Sequence, residues 1–396
     1  MRIAVIGAGA LGGTFAVLLE QAGHKVTVTA RGAGLSAIRD GGIRLTGGFG
    51  DAHGHPLAVE TLTETPDLAL ICTKAQDAAA AITANAAALN GAPVIVVQNG
   101  LAGVATAETL LPDSDCFGAL VIIAANYTEP GLVRVTTAAP TYLGRGPGPA
   151  DAETLRWASM LSAAVPTVAI GNFVGAQWTK LIVNMLNGLP AITGMSVQDV
   201  VDHPQLRRIM TASMREAVQV GMAAGIRFGA IQHLSDFKLR AFSRLPLWAG
   251  QIVPLLMRKR MGNVPNLGST QQSLRRGQLT EIDFLNGAVV REAQRLGREA
   301  PVNALITELV HEVEASGVSI SPEDVIRRLA VSLAEPGVWC LMPSSWCLGF
   351  GSGPEFGVSR PRFGVRECIT PAICNRSRPR ARKYTAVAGP HQIQQE

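Results

Sequence analysis

The sequence predicts an α/β fold in which a doubly wound, mostly parallel sheet is followed by an all-helical C-terminal domain. Three observations support this prediction. The chain opens with an apolar strand, a glycine-rich turn and a helical pattern, which together are typical of a βαβ unit. Further apolar strands alternate with helical segments, as they do in parallel sheets. After about residue 148 the hydrophobic periodicity is almost entirely helical.

The individual elements are predicted from short apolar runs and from apolar residues at helical spacing. In the first part of the chain, strands are predicted at residues 2–6, 25–29, 68–72, 93–97, 117–124 and 132–143, with a helix at 77–89. In the second part, helices are predicted at residues 151–164, 174–188, 204–224, 235–257, 280–297, 303–315 and 322–334. A glycine-rich run between the two parts is interpreted as a linker.

These patterns divide the chain into an α/β domain at residues 1–148, a helical domain at 149–335 and a disordered extension at 336–396. The extension is crowded with Pro, Gly and Arg, and its apolar residues lose their periodicity. It also carries the whole net charge of +5. Because the rest of the chain is neutral, we expect no nucleic-acid partner.

The cysteines and the apolar segments favour a cytoplasmic protein. Cys72 and Cys116 stand alone in apolar surroundings, as buried thiols of a reducing compartment do. The four cysteines of the extension lack the paired spacing of a zinc site, so no metal is expected. The N-terminal apolar run is too short for a signal peptide, and the longest uncharged stretch contains Pro166 and Gly171. We therefore expect no membrane partner.

A turn with the spacing G-x-G-x-x-G lies between the first strand and the first helix. Gly7 permits the tight turn, Gly9 lets the backbone approach a pyrophosphate, and Gly12 lets the helix pack closely on the strand. The backbone N–H groups of Ala10 and Leu11, at the start of the helix, are then free to bind phosphate. The turn predicts a Rossmann-type dinucleotide-binding domain, although a purely structural turn could contain the same glycines.

Arg31 indicates which dinucleotide is bound. The second strand ends in Thr29-Ala30-Arg31, without the acidic residue that usually binds the ribose 2′-hydroxyl of NAD. A guanidinium suits the 2′-phosphate of NADP instead. The alternative is a solvated arginine with no ligand. The predicted cofactor is therefore NADP, bound as NADPH.

Further motifs follow the glycine turn in order along the chain. They are Arg31, Thr73-Lys74-Ala75, Gln98-Asn99-Gly100, Trp178-Thr179-Lys180-Leu181, Asn184, Ser269 and Thr280-Glu281-Ile282-Asp283. Together with the turn, they resemble the ketopantoate (2-dehydropantoate) reductase family over roughly residues 1–320. The resemblance implies NADPH-dependent reduction of ketopantoate to pantoate in pantothenate biosynthesis. It also implies a small 2-oxo acid as substrate and a helical domain that often forms a homodimer.

The resemblance also implies a role for individual residues. Lys180 would be the general acid, and Glu281 and Asn184 would organise the site. Ser269 would hold the substrate carboxylate. The residues implied on the cofactor side are Asn99, bordering both nicotinamide and substrate, and Lys74.

The residue types support these roles in part. Lys180 and Asn184 are four residues apart and share one helix face. Hydride transfer to a ketone places negative charge on its oxygen, which an ammonium group can stabilise and then protonate. Without the resemblance, Lys180 could be a solvated lysine, and Glu281 could be a first-turn acid of a helix that Thr280 caps. Asn99 follows a predicted strand, at the sheet edge where ligands bind.

Gly188 departs from the family pattern, which has a second asparagine four residues after Asn184. Asn187 lies one position earlier. This departure leaves open a reductase of another small 2-oxo acid. A non-catalytic NADPH-binding sensor is a further alternative, against which the presence of both Lys180 and Glu281 argues.

Overall fold

The structure is a computed structural model of the chain and describes residues 1–231, 233–262 and 265–330. The predicted extension 336–396 and the end of the predicted helix 322–334 lie outside these ranges. The strands are β1 (Arg2–Ile6), β2 (Lys25–Thr29), β3 (Ile43–Gly47), β4 (Ala52–Gly54), β5 (Leu57–Val59), β6 (Leu68–Ile71), β7 (Val94–Val96), β8 (Cys116–Val121), β9 (Ala124–Glu129), β10 (Leu132–Thr137), β11 (Thr141–Gly144) and β12 (Thr167–Ala169).

The helices fall mainly in the second half of the chain. They are α1 (Ala10–Gln21), α2 (Gly32–Gly41), α3 (Ala75–Ala84), α4 (Ala86–Leu89), α5 (Gly103–Leu110), α6 (Ala152–Ser162), α7 (Phe173–Asn184), α8 (Gly188–Thr193), α9 (Val197–Asp202), α10 (Pro204–Ala223), α11 (Asp236–Arg244), α12 (Leu247–Gly250), α13 (Ile252–Arg260), α14 (Gly268–Arg275), α15 (Asn286–Arg295), α16 (Pro301–Ser316) and α17 (Pro322–Ala330), with a 3-10 turn at Ile282–Phe284. Among the described residues, none of these helices is both long and apolar enough to cross a membrane.

The main sheet has eight strands in the order β12-β11-β8-β7-β6-β1-β2-β5, which confirms the predicted α/β class. β1 pairs in parallel with both β2 and β6, and β7 continues the parallel arrangement to β8. β6 consists of four fully buried apolar residues, as expected of a strand covered on both faces. The carboxyl ends of β1, β6, β7 and β8 therefore meet at one edge, where ligands bind in such sheets.

A second, four-stranded sheet in the order β4-β3-β10-β9 lies outside the prediction. The predicted strand 132–143 was wrong as one element, because its first half joins the small sheet and its second half joins the main sheet. Pro140 immediately precedes β11. Proline has no N–H to donate to a ladder, so the strand breaks there.

Residues after the predicted boundary at 148 also belong to the main sheet. β12 pairs in parallel with β11 at its edge. Trp157 and Leu161 of α6, with Val165 after it, are buried in the same core as Phe15 and Phe117. We therefore propose that the α/β domain ends near residue 170, which moves the boundary between the predicted regions 1–148 and 149–335.

The helical part packs around α10, which confirms the helix predicted at 204–224. The helix predicted at 235–257 is divided, because Pro246 forces Leu245 into an extended conformation (ψ 144°). The helix predicted at 174–188 ends at Asn184, and a separate short helix begins at Gly188. Pro190 lies in the first turn of that helix, where a backbone N–H has no helical partner in any case.

The helix predicted at 280–297 is also interrupted, at the segment that carries Glu281. The hydroxyl of Thr280 accepts a hydrogen bond from the Ile282 backbone N–H at 3.2 Å. Such local side-chain bonds compete with helical ones, and α15 begins only at Asn286. Thr280 therefore shapes a turn and does not cap a regular helix.

Candidate active site

The glycine turn after β1 has the steric form that its sequence predicts. Gly7 has a positive φ of 97°, and a Cβ there would lie 2.7 Å from the Thr73 methyl group. A Cβ at Gly12 would overlap the carbonyl oxygen of Gly7, so no side chain fits at this position of α1. Gly9 is different, because a Cβ there would have no heavy atom within 4 Å. The open space above Gly9 is therefore free for a ligand.

The N-terminus of α1 is built to receive an anion. No side chain caps it, and its first turn contains no acidic residue. The backbone N–H groups of Ala10 and Leu11 thus remain without a helical partner next to the open space at Gly9. The helix dipole adds partial positive charge at this end. These features fit the pyrophosphate of a dinucleotide.

Arg31 lies at the carboxyl end of β2 and precedes the first residue of α2. Its side chain is exposed and forms no hydrogen bond or ion pair with the described part of the chain. The Ala30 backbone N–H bonds to the Val59 carbonyl, which fixes the main chain beside it. The guanidinium is therefore free to bind a ligand from a fixed backbone position.

Lys180 extends from α7 to the carboxyl edge of the main sheet. Trp178, Leu181 and Ile182 anchor α7 in the helical core. The Lys180 ammonium donates to the backbone carbonyl of Val121, at the end of β8, at 2.6 Å. Burial lowers the pKa of Lys180 to about 8, although attraction to Glu281 opposes the shift. The lysine is therefore close to the pKa range in which it can give up its proton near neutral pH.

Glu281 approaches the same sheet edge from the helical part. Its carboxylate accepts a hydrogen bond from the Ala75 backbone N–H at 3.1 Å and lies 3.4 Å from the Asn99 amide nitrogen. Ala75 is the first residue of α3, where the helix dipole favours a negative charge. The structure therefore places Lys180, Glu281 and Asn99 at the same edge of the sheet.

Lys74 adjoins the glycine turn through Thr73 but directs its ammonium toward the helical part. The ammonium donates to the Leu279 carbonyl at 2.8 Å and to the Ser273 hydroxyl at 3.2 Å. Burial lowers the pKa of Lys74, with Glu281 opposing the shift. Its contact with a cofactor stays a prediction.

Asn184 and Ser269 lie on different helices, Asn184 at the end of α7 and Ser269 at the start of α14. Asn184 is partly buried one helical turn beyond Lys180, and its amide forms no hydrogen bond with described residues. Ser269 is exposed in the first turn of α14. The residue before it, Gly268, adopts φ 68°, and its Cβ position lies 2.7 Å from the Asn187 amide oxygen. Asn187 therefore lies beside Gly268, the residue that precedes Ser269.

The glycine at position 188 has a steric cause. A Cβ there would lie 2.6 Å from a methyl group of Ile306, on α16. An asparagine at this position would require Ile306 or the start of α8 to move. The chain therefore lacks the second amide of the family pattern at that backbone position.

Several contacts at the site could not be found from the sequence. The Val121 carbonyl and the Ala75 N–H are backbone groups with no sequence signature. Behind Glu281 lies a clamp formed by Asp283, His311 and Glu314. Its only signal in the sequence is weak: a histidine and an acid stand three residues apart on one helix. Within the described ranges, no three His, Cys, Asp or Glu side chains are grouped to hold a metal ion.

Two family models match most of the chain. Residues 3–148 match the model described as "Ketopantoate reductase PanE/ApbA", and residues 172–314 match "Ketopantoate reductase PanE/ApbA C terminal". The "2-dehydropantoate 2-reductase" of Halobacterium salinarum is 27% identical over 327 residues, covering 80% of this chain and 100% of that protein. The protein of the same description from Pyrococcus abyssi is 25% identical over 321 residues, covering 80% and 98%.

Solved structures share the fold. A PanE/ApbA family ketopantoate reductase from Ralstonia eutropha is 29% identical, with a TM-score of 0.68, and covers 80% of this chain and 99% of its own. A D-mandelate dehydrogenase solved with NADH and anilino(oxo)acetate is 20% identical, with a TM-score of 0.67 over 80% of this chain and 99% of its own. At that identity, the second likeness concerns the fold alone.

Proposed function

The chain belongs to the ketopantoate reductase family, and from that premise we propose that it reduces ketopantoate to pantoate with NADPH. The observation that carries the proposal is the position of Lys180. Its ammonium is partly buried at the carboxyl edge of the sheet, with a pKa lowered to about 8 by burial, and Glu281 and Asn99 lie at the same edge. A partly buried proton donor beside a dinucleotide-binding edge suits the reduction of a carbonyl group.

When bound, NADPH would supply a hydride to the carbonyl carbon of the substrate. As the hydride arrives, the carbonyl oxygen gains negative charge, which the Lys180 ammonium stabilises. Lys180 then donates its proton to that oxygen, so the ketone becomes an alcohol and the lysine becomes neutral. The Val121 carbonyl holds the lysine nitrogen before the substrate is bound.

The other polar groups orient the substrate. Glu281 attracts the Lys180 ammonium and is itself fixed by the Ala75 N–H and the Asn99 amide. The amide of Asn184 and the hydroxyl of Ser269 form no side-chain hydrogen bonds within the described residues, so they are free to bind the hydroxyl and carboxylate groups of a 2-oxo acid. Asn187, beside Gly268, offers a further amide.

Arg31 supports the phosphorylated cofactor. Its free guanidinium lies where the adenosine ribose of a bound dinucleotide is expected, and no acidic residue lies there to bind an unmodified ribose. Gly7, Gly9 and Gly12 shape the turn, with N–H groups of Ala10 and Leu11 for the pyrophosphate. Lys74 and Asn99 would complete the cofactor side.

A second candidate function is reduction of a different small 2-oxo acid. Gly188 favours it, because Ile306 fills the space in which the second asparagine of the family would stand. A pocket with one amide fewer at that position would bind the hydroxyl group of ketopantoate less tightly.

The proposal is tested by following NADPH oxidation with a panel of 2-oxo acids, each also measured with NADH. The panel includes ketopantoate, its analogue without the hydroxyl group, and an aryl 2-oxo acid. We expect the highest kcat/KM for ketopantoate with NADPH. A higher value for the analogue would favour the second candidate, and no oxidation with any member would exclude a reductase of this class.

The location and the assembly are proposals as well. Cys72 and Cys116 are both free thiols, which supports the cytoplasm. Phe237 on α11 and Trp248 on α12 are 81% and 78% exposed, which supports a homodimer that would cover them. Light scattering of the purified chain measures the number of subunits.

A further inference from the structure

The turn that carries Glu281 is fixed on both sides by a clamp of three side chains, Asp283, His311 and Glu314. On one side, the Thr280 backbone N–H donates to a carboxylate oxygen of Glu314 at 2.7 Å. On the other side, Asp283 lies 3.1 Å from the Nε2 atom of His311. The Nδ1 atom of the same ring lies 2.7 Å from the second carboxylate oxygen of Glu314. His311, on α16, thus joins the two acids that fix the turn.

The geometry of the clamp selects the charged form of His311. An ionised carboxylate only accepts hydrogen bonds, so each ring nitrogen that contacts one must donate. A neutral imidazole has one N–H, whereas the imidazolium has two. Burial alone lowers the pKa of His311, but the hydrogen bonds to Glu314 and Asp283 outweigh it, and the pKa lies above its ordinary value of 6.5.

We propose that His311 is a positioning residue that holds the Glu281 turn in place while it is an imidazolium and releases it when the proton is lost. The proposal rests on the proposed function, because it takes from there the role of Glu281 in orienting the substrate. It adds a dependence of substrate binding on pH that is separate from the protonation of Lys180.

Other charged groups near the clamp do not replace the imidazolium. A guanidinium nitrogen of Arg291, on α15, and a carboxylate oxygen of Asp283 each lie 3.5 Å from the Cβ position of Gly287. Arg291 nevertheless forms no ion pair with Asp283, and its guanidinium lies over the Phe284 ring. Lys74, which directly precedes α3, attracts Glu314 only at a distance, and its ammonium donates to the Leu279 carbonyl. On α16 and α17, Arg328 pairs with Glu312 at 2.7 Å, and Asp324 and Glu308 also attract the Arg328 guanidinium.

The direction of the effect follows from the raised pKa. Below about pH 6.5, His311 is charged in the folded protein and both hydrogen bonds are present. As the pH rises through the raised pKa, one N–H is lost and two carboxylates face each other across a neutral ring. The clamp then weakens, and Glu281 loses its fixed position. Substrate binding is therefore expected to weaken as the pH rises through the titration of His311, an effect that is separate from the loss of the Lys180 proton.

The kinetic test measures kcat and KM for ketopantoate as a function of pH in the wild type and in His311→Gln. Glutamine can bond to one acid but does not titrate. In the wild type, we expect KM to rise about tenfold across the His311 titration, the effect of losing one hydrogen bond between charged groups. In His311→Gln, KM should be high and constant over that range, while the fall of kcat near pH 8 persists. The control is His53→Gln, which removes a histidine of β4 that bonds to the Gly41 carbonyl.

A second measurement does not depend on activity. Proton–carbon NMR can follow the seven histidine rings through a pH titration, with the His311 signal identified by its loss in His311→Gln. We expect His311 to titrate above 6.5 in the wild type, and lower in Asp283→Asn, where Glu314 still holds Thr280. If no 2-oxo acid is reduced, the proposed function fails but this titration still tests the clamp. Two results would overturn the inference. One is a KM that changes with pH in His311→Gln as it does in the wild type. The other is a His311 pKa that is the same in Asp283→Asn as in the wild type.

Discussion

The glycine turn after β1 and the Lys180 site are built in opposite ways. The turn uses main-chain groups from one continuous segment, Gly7 to Gly12. Its function depends on glycines, whose lack of side chains allows the tight turn and leaves open space for a ligand. The Lys180 site uses side chains that begin on α7, on the 280–283 turn and after β7. The first site therefore leaves a fixed spacing in the sequence, whereas the second exists only after the chain has folded.

The two sites also differ in their electrostatics. The turn presents uncapped N–H groups and a helix dipole to open space, which suits a phosphate group. The Lys180 ammonium is withdrawn from water, so burial lowers its pKa. From this contrast we expect that cofactor binding and the chemical step can be disrupted independently.

The largest effect is expected at the chemical step. Replacing Lys180 with Ala should lower kcat by about 10²–10⁴-fold, the usual worth of one positioned proton donor. Lys180→Arg should not restore the rate, because a guanidinium does not release its proton near neutral pH. Steady-state NADPH oxidation measures both variants. A kcat within about threefold of the wild type would remove Lys180 from the mechanism.

The next effect concerns the choice of cofactor. Arg31→Ala should weaken NADPH binding by about 1.5–3 kcal/mol, the worth of hydrogen bonds to a charged group, and should leave NADH binding unchanged. The matched control is Lys25→Ala, at the opposite end of the same strand. Fluorescence titration with both cofactors gives the affinities. An equal loss for the two would show that Arg31 does not bind the 2′-phosphate.

The pH dependence of kcat reports on Lys180. The donor must be protonated, and its pKa is lowered to about 8. As the pH rises above this value, the protonated fraction and kcat should fall together, by about tenfold per pH unit. The residual rate of Lys180→Ala should lack this fall. A wild-type rate that stays constant to pH 10 or so would contradict the assignment.

Two glycine variants separate structure from binding within the turn. Gly12→Ala places a methyl group against the Gly7 carbonyl and should lower the free energy of unfolding by about 1–3 kcal/mol, as overpacking does. Gly9→Ala meets no neighbour, so it should leave the melting temperature unchanged and weaken only NADPH binding. Thermal melting and titration test the pair. A stability loss in Gly9→Ala equal to that of Gly12→Ala would show that the space above Gly9 is structural.

The contrast also explains which parts of the fold could be predicted. The β1–α1–β2 unit could be, because the glycine spacing and the apolar runs act over about 30 residues. The small sheet could not, since β4 has three residues, too few to show an alternation of period two, and β9 is only partly buried. The break at Thr280 depends on a local hydrogen bond that helical spacing does not show.

The site was predictable to a different degree. The sequence motifs named Lys180, Glu281 and Asn99, and the structure places these three together. Their chemical roles stay predictions. Their orienting partners could not be predicted. The Val121 carbonyl and the Ala75 N–H contact residues that are 59 and 206 positions away in the sequence. The His311 clamp lies on a helix face whose sequence resembles many others.

The most direct test of the contrast between the two sites is an NADPH titration of Lys180→Ala, made with the same sample whose kcat has been measured. We predict that the Kd for NADPH stays within about twofold of the wild-type value, since the turn and Arg31 bind the cofactor without Lys180. The same sample should show the loss of kcat. A Kd that rises in proportion to the fall in kcat would contradict the account, because Lys180 would then act by holding the cofactor.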